Sequence, residues 1–157
     1  MSESLKKKIC LITGARTGIG LSIGLTLAKN GYRVIFSGRK HNDCKDTVSH
    51  LLANSCEVAE SPIDLSNLST LKTQTEMALS IWGTLDILIN NGAVIEPISS
   101  IEKIDYKDFE KAVSVNYTAP TLLISYCWGN LIKNRGKVIN ILSGAAINPV
   151  EGWTAYC

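Results

Sequence analysis

Charge of one sign is scarce in this 157-residue sequence: Lys plus Arg number 16 and Asp plus Glu 14, a formal net charge of +2. That is too near neutral for the concentrated basic face that holds nucleic acid, and no nucleic-acid partner is expected. The longest like-charge run, Lys6-Lys7-Lys8, reads as a solvated lead-in to a strand rather than a targeting signal. Long hydrophobic runs are missing too. Nothing approaches the roughly eighteen apolar residues of a membrane span, and no charged-apolar-small leader is present. The expectation is a cytoplasmic chain with no membrane partner. Histidine is limited to His41 and His50, which lack metal-ligand spacing, so no metal site is expected. The five cysteines, Cys10, Cys44, Cys56, Cys127 and Cys157, are odd in number, scattered, and without a C-x-x-C. Neither a disulfide framework nor a zinc site follows from them.

What is present is a globular mixture, 45 % hydrophobic and 19 % charged, which argues against disorder, collagen-like repeats and coiled coil. The length suits one domain over residues 1–157. Short apolar runs alternate with longer helical stretches. Strands are predicted at Lys8–Thr13, Arg33–Ser37, Glu57–Ile63, Leu85–Asn90 and Lys137–Leu142. Helices are predicted at Gly18–Asn30, Asn42–Ala53, Asn67–Trp82 and Lys107–Lys133, the last with Asp105 as its cap. Continuous apolar strands such as Ile87-Leu88-Ile89 are the mark of a parallel sheet covered on both faces. The predicted fold class is α/β, a Rossmann-type doubly wound parallel sheet with helices on both faces.

The turn after the first strand reads Thr13-Gly14-Ala15-Arg16-Thr17-Gly18-Ile19-Gly20. Glycines permit a tight turn and let the backbone approach a pyrophosphate, which the free N–H groups and dipole of the following helix attract. Glycine-rich turns also serve packing alone; the position between a predicted strand and a predicted helix is what favours dinucleotide binding.

The spacing T-G-x-x-x-G-I-G resembles the short-chain dehydrogenase/reductase family, and further residues agree along the chain from Lys8 to its last residue. Asp64-Leu65 ends the third strand, where the family contacts adenine. Asn90-Asn91-Gly92-Ala93 resembles the family's N-N-A-G with its last two residues exchanged. Asn116, in Val115-Asn116-Tyr117, matches the family's catalytic asparagine. Ser143 ends the fifth strand and Tyr156 follows at the family's interval. The resemblance implies an NADP(H)-dependent oxidoreductase that reduces a ketone or diketone, its small-molecule partner, to an alcohol. Hydride transfer builds negative charge on the substrate oxygen, which a proton donor and a hydrogen-bond donor must face. By resemblance Tyr156 is the acid, Ser143 the polariser, and Asn116 the holder of a water in the proton relay. Considered singly, these would be a surface tyrosine, a strand-end serine and a helix-interior asparagine bonded to backbone.

Gly14, Arg16, Thr17, Gly18, Ile19, Gly20, Arg39, Asp64, Leu65, Asn90 and Gly92 are the expected cofactor-binding residues. No carboxylate follows the second strand before His41-Asn42-Asp43, where an NAD enzyme would hold the ribose 2′-hydroxyl. Arg39 can instead pair with a 2′-phosphate, with Arg16 a second candidate. Ser143-Gly144-Ala145-Ala146, Glu96-Pro97-Ile98 and Gly152-Trp153-Thr154-Ala155-Tyr156-Cys157 resemble the sepiapterin reductase and benzil reductase branch. Trp153 could equally pack under the active-site loop.

The family's lysine belongs four residues after the tyrosine, past Cys157. The expectation is therefore an incomplete record of a longer, homo-oligomeric enzyme, lacking its C-terminal elements and leaving the fifth strand an exposed apolar edge. The alternative is a catalytically inactive NADP(H)-binding module.

Overall fold

A computed structural model describes residues 7–157. Of the lysine run, Lys6 lies outside the described residues, Lys7 pairs with Glu57, and Lys8 bonds to Asp86 at 2.8 Å. Five parallel strands form one sheet in the order β3-β2-β1-β4-β5. These are β1 (Ile9–Thr13), β2 (Arg33–Ser37), β3 (Val58–Glu60), β4 (Ile87–Asn90) and β5 (Lys137–Asn140). Helices α1 (Gly18–Lys29), α2 (Lys45–Ala53), α3 (Leu68–Ser80), α4 (Tyr106–Val113) and α5 (Ala119–Lys133) connect them.

The strands alternate their side chains between two cores. Leu11, Ile35 and Leu88 meet Leu71 of α3 and Leu123 and Leu131 of α5 on one face. Cys10, Ile12, Val34 and Phe36 meet Ala28 of α1 and Val48 and Leu51 of α2 on the other. Both faces are covered, which is why β1 is apolar at every position before Thr13. From β1 the chain adds β2 and β3 on one side, then β4 and β5 on the other. The reversal opens a crevice at the carboxyl ends of β1 and β4, the place where doubly wound sheets bind ligands.

Several element ends differ from the sequence expectation, each for a local reason. The third strand stops at Glu60 because Pro62 lacks the N–H that pairing needs, although Ile63 still donates to Gly38 O. The second helix starts at Lys45, not Asn42, because Asn42 is left-handed at φ +66°. The predicted helix over 107–133 is interrupted by a π turn at Ser114–Thr118. Asp105 caps α4 as expected, accepting from the N–H groups of Lys107 and Asp108. Strand β5 forms the sheet edge, with Lys137 and Asn140 exposed, Ile139 43 % exposed and Val138 half-buried. No helix among the described residues is long and apolar enough to cross a membrane.

Candidate functional site

Two clefts flank the carboxyl end of β4. The first, about 570 Å³, lies over β1 and β2. Its floor is the glycine turn. Gly14 and Gly18 have φ of +63° and +61°, which L side chains rarely adopt. A Cβ on Gly14 would stand 2.6 Å from Gly92 Cα, and one on Gly20 would stand 2.6 Å from Gly14 O. Of these three turn glycines, Gly18 is the one that faces open space. Gly14 and Gly20 thus let the turn close on the end of β4, while Gly18 is required by backbone conformation.

Asn91, which the sequence reading left out, locks this closure. Its Nδ2 donates to Thr13 O and Gly14 O, both at 3.0 Å. Its backbone N–H and that of Gly92 donate to Thr13 Oγ1 at 3.0 and 3.1 Å. The signal was its place in Asn90-Asn91-Gly92-Ala93, but its partners lie 78 and 77 residues away in sequence. Thr17 is the N-cap of α1 without a side-chain cap bond, and no acidic residue occupies the first turn. The positive end of that helix therefore keeps unsatisfied N–H groups beside the cleft, a donor set suited to phosphate.

Of the residues expected at the cofactor, Gly14, Arg16, Thr17, Arg39, Asp64, Leu65 and Gly92 line this cleft. Gly18, Ile19 and Gly20 begin α1 next to these residues without lining the cleft, and Ile19 is 62 % exposed. Asn90 faces the second cleft instead. Asp64 is partly committed: its Oδ1 accepts from Ser66 N–H and Oγ–H at 3.0 and 2.7 Å, and its own N–H donates to Gln74 Oε1 at 2.9 Å. Lys40, Asp43 and Lys111 also line the cleft and were not anticipated. Next to Asp43 in sequence, burial pushes the Cys44 thiol up to about 11, with Glu60 and Asp43 adding to the rise and Arg16 opposing it. The ion pairs formed among the described residues lie elsewhere, leaving Arg16, Arg39, Lys40 and Lys111 facing this space. A turn with no room for a side chain at Gly14 or Gly20, a helix N-terminus and four cations fit the phosphates of a dinucleotide.

The second cleft, about 340 Å³, lies over β4 and β5 and gathers Asn90, Asn116, Asn140, Ser143 and Tyr156. Asn116 sits in the π turn, a local widening frequent at functional sites. Its Oδ1 accepts from Val94 N–H at 2.9 Å and its Nδ2 donates to Val94 O at 2.8 Å. Both ends of the amide are occupied by the backbone of Val94, so the side chain fixes the segment after β4. Ser143 caps the short 3₁₀ turn Gly144–Ala146, its Oγ accepting from Ala145 N–H at 3.2 Å, which leaves the hydroxyl proton free to donate. Tyr156 stands edge-on to Trp153, with ring centroids 5.7 Å apart. That segment is tied back by Ser99 N–H donating to Gly152 O at 2.9 Å. Asn140 was also missed. Opposite Asn90 in register, it accepts from Asn90 Nδ2 at 2.9 Å, while Asn90 Oδ1 is buried without a partner. The two clefts meet, because Gly92 and Ala93 line both.

Comparison with known proteins agrees with this geometry. The chain is 33% identical to a benzil reductase ((S)-benzoin forming) of Bacillus subtilis, over 96% of this chain and 60% of that protein. The solved structure of a metagenomic short-chain oxidoreductase in complex with NADP covers 95% of this chain and 68% of its own, at 28% identity and a TM-score of 0.88. An NAD+-bound xylitol dehydrogenase shares the fold at 21% identity, covering 95% of this chain and 58% of its own, with a TM-score of 0.86. The chain spans about 60 % of the length of the curated relatives it matches. The family model described as short chain dehydrogenase matches residues 8–157, and the chain belongs to that family.

Proposed function

We propose that the protein reduces a ketone or diketone to an alcohol with NADP(H). The observation that carries this reading is the junction of the two clefts at Gly92 and Ala93. A dinucleotide lying along the first cleft would bring its far end beside Ser143 and Tyr156.

In this reading Arg39, Arg16 and Lys40 take the adenosine 2′-phosphate, and the turn at Gly14–Thr17 together with the start of α1 takes the diphosphate. A nicotinamide cofactor, when bound, would supply the hydride that the carbonyl carbon takes up. Ser143 Oγ donates a hydrogen bond to the carbonyl oxygen, and Tyr156 Oη gives that oxygen its proton as negative charge develops there. Asn116 acts as a positioning residue through Val94, holding the wall that both clefts share. Benzil reductase as a relative, together with Gly152-Trp153 and Tyr156-Cys157, favours adjacent carbonyls as the substrate class. A homo-oligomer is in keeping with exposed Tyr117, Trp128 and Ile132 along the π turn and α5.

Two substitutions in the full-length protein test the reading. Tyr156→Phe is expected to lower diketone-dependent NADPH oxidation by about 10²- to 10⁴-fold, the range for a lost general acid, with NADPH binding retained. Retained turnover overturns the assignment of Tyr156. Arg39→Ala is expected to weaken NADPH by about three- to tenfold and leave NADH unchanged. A charge-assisted pair is worth roughly 1.5–3 kcal/mol, and the exposure of Arg39 places the effect at or below the lower end. Equal weakening of both nucleotides removes the 2′-phosphate assignment. Tight binding without turnover on any carbonyl would leave a nucleotide-binding module.

A further inference from the structure

The turn after β2 carries a carboxylate that the order of residues conceals. Gly38 has no side chain, yet a Cβ placed there would stand 2.9 Å from Asp43 Oδ2 and 3.1 Å from Asp43 Cγ. The side chain of Asp43, its Cβ nearest and its carboxylate close behind, therefore occupies the space that a side chain at position 38 would fill. Position 38 directly follows the second strand, from which an acidic residue would address a ribose hydroxyl. The turn holds it there. Asp43 Oδ2 accepts from Lys40 N–H at 2.9 Å, and Asp43 N–H donates to Lys40 O at 3.3 Å. Asn42 turns the chain through φ +66°, and Cys44 N–H donates to Glu60 Oε1 at 2.9 Å. The same carboxylate lines the first cleft with Arg16, Arg39, Lys40 and Lys111, and Asp64 is the other acidic residue of that lining.

We propose that Asp43 moderates cofactor selectivity: its carboxylate opposes a nucleotide 2′-phosphate and offers an acceptor to a free 2′-hydroxyl. The cations of this turn then discriminate less between the phosphorylated and unphosphorylated dinucleotides than they would alone. The inference rests on the reading that the first cleft holds the adenosine end of a nicotinamide dinucleotide.

Asp43→Asn tests it, because the amide keeps an acceptor for Lys40 N–H and removes only the charge. NADPH and NADH are titrated separately into the purified protein and its variant, following nucleotide fluorescence. The ratio of the NADH to the NADPH dissociation constant is expected to rise about two- to fivefold, the size of one partly exposed charge interaction. The gain is expected to shrink as salt is raised, which a mere reshaping of the turn would not produce. Asp43→Ser, which keeps a shorter acceptor, carries the same expectation should the amide disturb the turn. A ratio that is unchanged or lower in both variants overturns the proposal while leaving the dinucleotide reading in place. Failure of the unaltered protein to bind either nucleotide overturns that reading and this proposal with it.

Discussion

The first cleft is walled by backbone that the sheet itself holds, whereas the second is walled largely by an irregular segment lying on the sheet edge. Around the first, Thr13 is buried, and the turn at Gly14 closes on Gly92 through four hydrogen bonds that link β1 to the residues after β4. Around the second, Ser143 and Tyr156 sit on chain whose bonds are mostly local, with Leu142 and Ile147 exposed at 84 % and 83 %. The difference teaches where stability and chemistry separate. A residue whose bonds span the sheet cannot change without loosening the fold, while Ser143 and Tyr156 can change with effects confined to what they touch.

The strongest way to break this comparison is Gly14→Ala. The new methyl would meet Gly92 Cα at 2.6 Å from a backbone held at φ +63°. Strain and overpacking together are expected to cost about 2–4 kcal/mol in a denaturant titration, with nucleotide binding lost. Unchanged stability would show that the turn is free to move. Asn91→Ala is the next largest. It removes two donors from carbonyls of the glycine turn, at an expected cost of about 1–3 kcal/mol. Ser143→Ala supplies the contrast: a midpoint shift equivalent to less than about 1 kcal/mol, since only the cap of a three-residue turn is lost, yet a clear loss of turnover.

Cysteine labelling sharpens the same comparison at the smallest scale. Burial pushes the thiols of Cys10 and Cys127, inside the sheet and α5, up to about 12. Cys157, beside Tyr156, is exposed. Alkylation of the native protein near pH 8, followed by mass spectrometry, is expected to modify Cys157 well before Cys10 or Cys127. Equal rates would mean that the sheet opens as readily as the edge segment.

How much could be read in advance depended on how local each cause was. The cap at Asp105 was legible because its bonds reach only two and three residues along the chain. Strand β2 was legible end to end because its four buried residues are continuous. The bonds from Asn116 to Val94 were not legible because Val94 lies 22 residues earlier, in the segment after β4. The π turn around Asn116 escaped notice because one wider turn barely disturbs a helical apolar pattern. The acidic group beside position 38 was missed because its residue, Asp43, comes five positions later and is folded back by a left-handed Asn42.

By itself the sequence determined the α/β alternation, the parallel sheet and the glycine turn. Those follow from apolar periodicity and from the φ values only glycine adopts readily, which act over a few residues. Tertiary structure alone decided that Asn91 ties the turn to β4, that Asn116 spends its amide on Val94, that Asn90 pairs with Asn140, and that Asp43 stands where Gly38 has no side chain. Each of these depends on chain segments brought together by packing, and hydrogen bonds and close contacts of a few ångströms are set only once the sheet has placed both partners.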